Sequence, residues 1–229
     1  MYLKKINLKN KYALVTGAGK GLGRACSIAL AEAGATVIAL SRTKSDLDKL
    51  EKDIKKVKGK IIKIQCDVMN YQDLKEKLNK IKIIDILVNN AGTNIPEPFE
   101  KIKQTSMNYL VDLNLKAAFN VAQLVVKKML DSNIKGSIIN VSSQMGHVGG
   151  PSRTTYCTSK FAIEGFTKSL AIELGPEGIR VNTICPGGLV GHVAGKSDTQ
   201  DPIFVKNFSK KAPLKRLGKP EEVASVAVF

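Results

Sequence analysis

Tyr156 and Lys160 carry the chemistry most open to a reading from sequence. A phenol ionises near pH ~10 and is a weak acid–base catalyst at neutral pH unless its surroundings favour phenolate. Lys160 lies one helical turn beyond Tyr156 in a segment that reads as helix, so ammonium and phenol share a face. A cation there lowers the phenol's pKa toward the range where it gives a proton to a carbonyl oxygen or takes one from an alcohol. Ser143 follows an apolar, strand-like run upstream of Tyr156, and its hydroxyl is placed to hold the substrate oxygen. Ser142 is its neighbour but sits one position out of step and is given no catalytic role. Asn114, in Asp112-Leu113-Asn114-Leu115, is a polar residue in an apolar helical stretch. A Tyr-x-x-x-Lys pair alone is common on exposed helices, so the reading rests on the set.

A second group of residues suits a phosphate. Thr16-Gly17-Ala18-Gly19-Lys20-Gly21-Leu22-Gly23 follows a strand-like run and opens a helix. Glycines let a backbone approach a pyrophosphate, and a helix N-terminus offers free N–H groups and partial positive charge. In that context Gly17, Lys20, Gly21, Leu22 and Gly23 form a dinucleotide-binding turn. The second strand ends Leu40-Ser41-Arg42-Thr43-Lys44, and no carboxylate lies between Ala33 and Ser45. NAD would find no acceptor for its adenosine ribose diol there. A 2′-phosphate would find Ser41, Arg42 and Lys20, so NADP(H) is expected in preference to NAD(H).

The elements that must position these residues alternate. Short apolar runs at 12–16, 36–40, 61–66, 84–88, 137–141 and 180–184 read as buried parallel strands. Helical stretches fall at 22–33, 45–57, 71–80, about 105–130, 156–174 and from near Pro220. That order requires right-handed crossovers and a parallel sheet covered on both faces. The fold class is α/β: a Rossmann-type doubly wound parallel sheet flanked by helices, in a single domain over residues 1–229. Ligands of such sheets bind beyond the carboxyl ends of the strands, where the residues above lie.

Composition limits the alternatives. The 229 residues are 43% apolar and hold 36 Lys or Arg against 20 Asp or Glu, a formal net charge of +16. Of the basic residues only five are Arg, and aromatics make up 5%. Nucleic-acid readout favours Arg and interleaved aromatics, so no nucleic-acid partner is expected. No apolar run reaches the ~20 residues that span a bilayer, and no signal-peptide core is present, so no membrane partner is expected. Cys26, Cys66, Cys157 and Cys185 form no Cys-x-x-Cys pair, which suggests reduced thiols and a cytoplasmic protein. With only His147 and His192 as histidines, no metal site is expected.

Taken together, Thr16-Gly-x-x-x-Gly-x-Gly23, Asn89-Asn90-Ala91-Gly92, Asn114, Ser143, Tyr156-x-x-x-Lys160 and Pro186-Gly187 resemble the short-chain dehydrogenases/reductases in order and spacing. The resemblance covers the chain from about Leu8 onward. It implies hydride transfer between a nicotinamide and a carbonyl carbon. Tyr156 would be the acid–base, Lys160 would tune it and hold the nicotinamide ribose, Ser143 would orient substrate, and Asn114 would hold a relay water. Asp67 and Val68 would flank adenine, Asn90, Ala91 and Gly92 the adenosine ribose, and Pro186, Gly187 and Leu189 the nicotinamide amide. The stretches 17–21 and 41–47 look like those of NADPH-dependent carbonyl and L-xylulose reductases.

Two departures stand out: Gly191 replaces the usual Thr, with His192 as a candidate substitute, and the chain ends at Phe229 inside a helix. The sheet is therefore expected to lack its final strand. The substrate pocket is expected from Ser143, Gln144, Met145, His147, Val148 and Arg153, under a mobile lid over about 189–206. Those polar groups suit a small carbonyl or alcohol of sugar, polyol or keto-acid type. The alternatives are a 3-oxoacyl-acyl-carrier-protein reductase and a non-catalytic dinucleotide sensor. The resemblance also implies a homo-oligomer, tetramer or dimer.

Overall fold

A computed structural model describes residues 6–191 and 202–229. Six strands, β1 (Tyr12–Thr16), β2 (Thr36–Ser41), β3 (Lys60–Gln65), β4 (Ile86–Asn89), β5 (Ser137–Val141) and β6 (Arg180–Ile184), form one sheet in the order β3-β2-β1-β4-β5-β6. Every neighbouring pair is parallel. Eight α-helices accompany them among the described residues: α1 (Gly21–Glu32), α2 (Lys44–Lys56), α3 (Tyr71–Asn79), α4 (Gln104–Val111), α5 (Ala117–Asp131), α6 (Thr154–Leu174), α7 (Pro202–Lys211) and α8 (Pro220–Val228).

Strand side chains alternate between the two faces, and each face builds its own core. Leu14, Ile38, Leu87 and Ile138 pack with Leu74 and Leu78 of α3 and Val121, Val125 and Met129 of α5. Ala13, Val15, Val37, Ala39, Ile86 and Val88 pack the other way, with Leu30 of α1, Leu47, Leu50 and Ile54 of α2, and Ala224 and Ala227 of α8. Burying each large aliphatic side chain contributes ~1.5–3 kcal/mol. Burial on both faces explains why the central strands are apolar runs without alternation. β3, at the sheet edge, differs: Lys60 is exposed, and Lys63 reaches Asp48 and Glu51 at 2.6 Å each. Charge on an edge strand discourages further pairing.

The main departure from the sequence expectation is the helix over 105–130. It is two helices, α4 and α5, joined by a π-helical turn at Asp112–Lys116. β4 starts at Ile86 instead of Ile84, because Asp85 turns its carboxylate to accept the Tyr12 amide and the Lys11 ammonium, each at 2.9 Å. α7 was not foreseen. It takes up the end of the expected lid, whose residues 192–201, including His192, lie outside the described residues. Gly191 has φ 93°, a conformation that a β-branched Thr would adopt only under strain. No described helix is long and apolar enough to cross a membrane. The four cysteines are free.

Candidate active site and cofactor cleft

β1 and β4 are neighbours in the sheet, yet their chains continue to opposite faces, which opens a crevice at their carboxyl ends. The turn after β1 lines it. Gly17 has φ 64°, and a Cβ there would sit 2.9 Å from Asn90 Nδ2. At Gly23 a Cβ would run into the Gly17 carbonyl oxygen, so α1 can lie this close to β1 only with glycine there. No side chain caps the start of α1 and no acidic residue occupies its first turn. Its amides are therefore left to an anion, and the turn fits a dinucleotide pyrophosphate.

Thr16 and Asn90 hold this turn together. Thr16 Oγ1 accepts the backbone amides of Asn90 at 2.9 Å and Ala91 at 3.0 Å. Asn90 Nδ2 donates to the Thr16 carbonyl at 2.9 Å and the Gly17 carbonyl at 3.4 Å. The amide expected beside the adenosine ribose thus fastens β4 to β1. Further along the crevice, Asp67 Oδ1 accepts the Met69 amide at 3.0 Å, and Val68 is buried. A cavity of about 660 Å³ lies at this end, bordered by Arg42, Gln65, Cys66 and Asp67.

The groups expected to meet a 2′-phosphate cluster at the end of β2, together with one carboxylate that the sequence pattern does not mark. Asp46, just beyond Ser45, is buried in the first turn of α2, with Oδ2 3.4 Å from Lys20 Nζ. A Cβ on Gly19 would fall 2.8 Å from Asp46 Cβ and 2.9 Å from Ser41 Oγ. Arg42 lies 3.8 Å from Asp67 and 3.4 Å from the Tyr109 hydroxyl. Both cations are more than half exposed and held by long ion pairs, the kind worth ~0–1 kcal/mol, so a phosphate can displace these partners.

At the other end, β5 and α6 bring Ser143, Tyr156 and Lys160 together. Lys160 is 6% exposed, and its ammonium donates to the Val141 carbonyl at 2.8 Å and lies 5.7 Å from the centre of the Tyr156 ring. Burial brings the Lys160 pKa down to about 8, against the opposing pull of Cys185 and Glu164. Burial also raises Tyr156, partly offset by its hydrogen bond to Ser143 and by the charge on Arg153. This corrects the expectation that the neighbouring cation sets the phenol's acidity. Among the protein's own groups, desolvation is the larger effect. Ser143 Oγ also accepts the Met145 amide at 3.1 Å, which fixes its orientation.

Asn114 is 2% exposed in the π turn and clasps the segment after β4: Oδ1 accepts Thr93 N and Nδ2 donates to Thr93 O, each at 2.8 Å. Its Nδ2 also reaches Ser159 Oγ at 3.3 Å, and Ser159 Oγ donates to the Tyr156 carbonyl at 2.7 Å. Gly92 packs against Asn114 Oδ1. The loop after β6 closes the site. The Pro186 carbonyl accepts the Gln144 amide at 2.9 Å, Gly187 faces Gln144 Oε1, and Leu189 bridges to Gly218.

The family profile described as short chain dehydrogenase matches residues 11–202. The chain belongs to the short-chain dehydrogenase family. It is 35% identical over 224 residues to the L-xylulose reductase of Mus musculus, covering 98% of this chain and 90% of that one. It is 37% identical over 228 residues to the 3-oxoacyl-acyl-carrier-protein reductase FabG of Thermotoga maritima, covering 98% and 91%. A gluconate 5-dehydrogenase from Burkholderia cenocepacia J2315, solved with NADP and tartrate, superposes with TM-score 0.91 at 28% identity over 100% of this chain and 91% of that one. An NAD+-bound xylitol dehydrogenase superposes with TM-score 0.89 at 29% identity over 97% and 92%.

Not every expected pocket residue of this short-chain dehydrogenase meets the others. Ser143, Gln144 and Met145 line the turn beside Tyr156, and Arg153 sits at the start of α6. His147 instead meets Cys185 and Glu164, 3.3 Å from the thiol sulfur and 3.6 Å from the carboxylate. Val148 is largely exposed. Besides Asp46, the sequence pattern does not mark Thr16 as the staple of the turn, nor Asn94. Asn94 Oδ1 is the one buried side-chain polar atom without a hydrogen-bond partner among the described residues. It lies next to the Thr93 that Asn114 holds, and only the polar run Gly92-Thr93-Asn94 after β4 pointed to it.

Proposed function

We propose that this short-chain dehydrogenase is an NADP(H)-dependent reductase of a small ketone or aldehyde, of the sugar or polyol kind. The observation that carries it is the meeting of Ser143, Tyr156 and Lys160 at the end of β5, beside the glycine turn that fits a dinucleotide. A bound nicotinamide dinucleotide supplies the hydride. The pyrophosphate would lie on Gly17, Gly21, Leu22 and Gly23 at the start of α1, the adenine by Asp67 and Val68, and the adenosine ribose by Ala91 and Gly92. The nicotinamide end would lie by Pro186, Gly187 and Leu189, with the ribose on Lys160.

Ser143 holds the substrate carbonyl oxygen, and Tyr156 donates its phenolic proton to that oxygen. Burial raises the phenol pKa, so Tyr156 carries the proton that reduction of a carbonyl requires. Lys160 lies close enough to the ring to favour phenolate once the proton has left. Asn114 positions this machinery through Thr93 and Ser159. The carbonyl substrate class draws support from the named activity of the mouse relative, and NADP from Ser41, Arg42 and Lys20. The apolar side chains that α5 and α6 leave exposed, Phe119, Phe161 and Ile172, suit a homo-oligomer.

The Thermotoga relative and the +16 charge favour one rival, reduction of a 3-oxoacyl group on an acidic carrier protein. Following NADPH oxidation with L-xylulose, diketones and an acetoacetyl thioester separates the two. Turnover on the ketose or diketones is expected, and activity confined to the thioester would replace this reading with the rival. Arg42→Asp should weaken NADPH use at least about tenfold, as loss of ~1.4 kcal/mol does, and improve NADH use. Unaltered cofactor preference in that variant would refute the role of Arg42.

A further inference from the structure

We propose that His147, Glu164 and Cys185 form a binding site for a thiophilic divalent cation, Zn2+ in chemical class. Only two histidines in the chain argue against a metal site in the sequence, and these three residues lie on separate elements: the turn after β5, the middle of α6 and the chain just past β6. The fold brings their donor atoms together. His147 Nε2 is 3.3 Å from Cys185 Sγ, Cys185 Sγ is 3.2 Å from Glu164 Oε1, and Glu164 Oε1 is 3.6 Å from His147 Nε2. Zinc bonds of about 2.0–2.3 Å at tetrahedral angles put neighbouring donors about 3.3–3.6 Å apart, so the three atoms match one face of a tetrahedral site.

The donor set also points to zinc. Thiol, imidazole and carboxylate together suit a borderline-soft cation and not Mg2+ or Ca2+, which take oxygen. Glu164 is 7% exposed, while the His147 side chain is 53% exposed, so the site has a buried carboxylate at its base and reaches solvent at the imidazole. Thr183 Oγ1 lies 3.2 Å from Glu164 Oε2 and donates to it, which turns Oε1 toward the sulfur and the imidazole. Outer hydrogen bonds of this kind orient metal ligands. On binding, the Cys185 S–H bond breaks, its proton passes to solvent, and the sulfur pair forms the bond to zinc. No electron is transferred.

The test uses the full chain without added nucleotide. Zn2+ is titrated against a chromophoric chelator, and Co2+ serves as the spectroscopic probe. One equivalent of Zn2+ per chain is expected. Co2+ should give the visible bands of a tetrahedral ion and a near-ultraviolet thiolate charge-transfer band. Cys185→Ser should abolish that band. His147→Ala, an exposed change that leaves the core intact, should weaken Zn2+ at least about 100-fold, the upper end of what removing even an outer-shell partner does. Cys157→Ser should leave band and affinity unchanged, and far-ultraviolet circular dichroism verifies that each variant is folded. Zinc retained equally by His147→Ala and Cys185→Ser, a charge-transfer band that survives Cys185→Ser or vanishes with Cys157→Ser, or no uptake at all would overturn the proposal.

Discussion

Lys160 shows a conflict between chemistry and stability within one side chain. Its folded pKa, about 8, lies below the ~10.4 of an unfolded chain. The unfolded chain therefore binds more protons between those values, and stability rises as pH climbs through that window. Below about pH 8 the burial penalty applies in full, at roughly 3 kcal/mol from a shift of that size. Lys160→Met removes the penalty and loses the bond to Val141 O, a loss of ~1 kcal/mol. At pH 7 the variant should melt no lower than the parent while turnover falls at least ~100-fold. At pH 10 its advantage in melting temperature should vanish. A variant several degrees less stable at pH 7 would show that the buried ammonium holds the fold together. The Tyr156–Lys160 pair was legible because helical spacing places the two side chains on one face. Which effect sets their acidity was not, since desolvation depends on what α6 packs against.

Among the elements, the strands and the glycine turn were open to reading, because burial on both sheet faces leaves uninterrupted apolar runs such as Leu14-Val15. The π turn at Asp112–Lys116 was hidden. One extra residue in a helical turn barely alters the apolar periodicity from 104 to 131, so sequence pattern reads straight through it. Its effect is local and large. It turns Asn114 inward onto Thr93, where π turns often serve functional sites. Asp46 was missed for a related reason: α2 folds its first turn back onto Gly19, a contact that no spacing along the chain encodes. Asn114→Ala removes both side-chain hydrogen bonds to the Thr93 backbone. Urea unfolding should then show a loss of about 2 kcal/mol, at ~1 kcal/mol for each hydrogen bond removed. The catalytic rate constant should fall as well, through the Ser159 link to Tyr156. A stability loss with full turnover would confine Asn114 to a structural role.

At the scale of the whole molecule the excess of positive charge acts on fold and substrate alike. A net charge of +16 makes the compact state repel itself, so its stability should depend on screening. Raising salt from about 0.01 M to about 0.15 M shortens the screening length from ~30 Å to ~8 Å. The melting temperature should rise over that range. The same titration separates the two substrate classes without any mutation. A small neutral ketose feels no field from the protein surface, so kcat/KM for it should stay flat with salt once the melting shift is accounted for. An acidic carrier protein would be drawn in by the same charge, and its kcat/KM would fall steeply as salt is added, because electrostatic steering fades with ionic strength. The charge was legible from composition alone, but its use was not: 31 of the 36 basic residues are Lys, spread over several helices, and composition does not say which face an incoming partner meets. A flat profile for the ketose together with a rising melting temperature assigns the lysines to the solvated surface. A steep fall for a carrier-bound thioester, with poor turnover of the free ketose, would give them a substrate to recognise and reverse the order of the two functional readings.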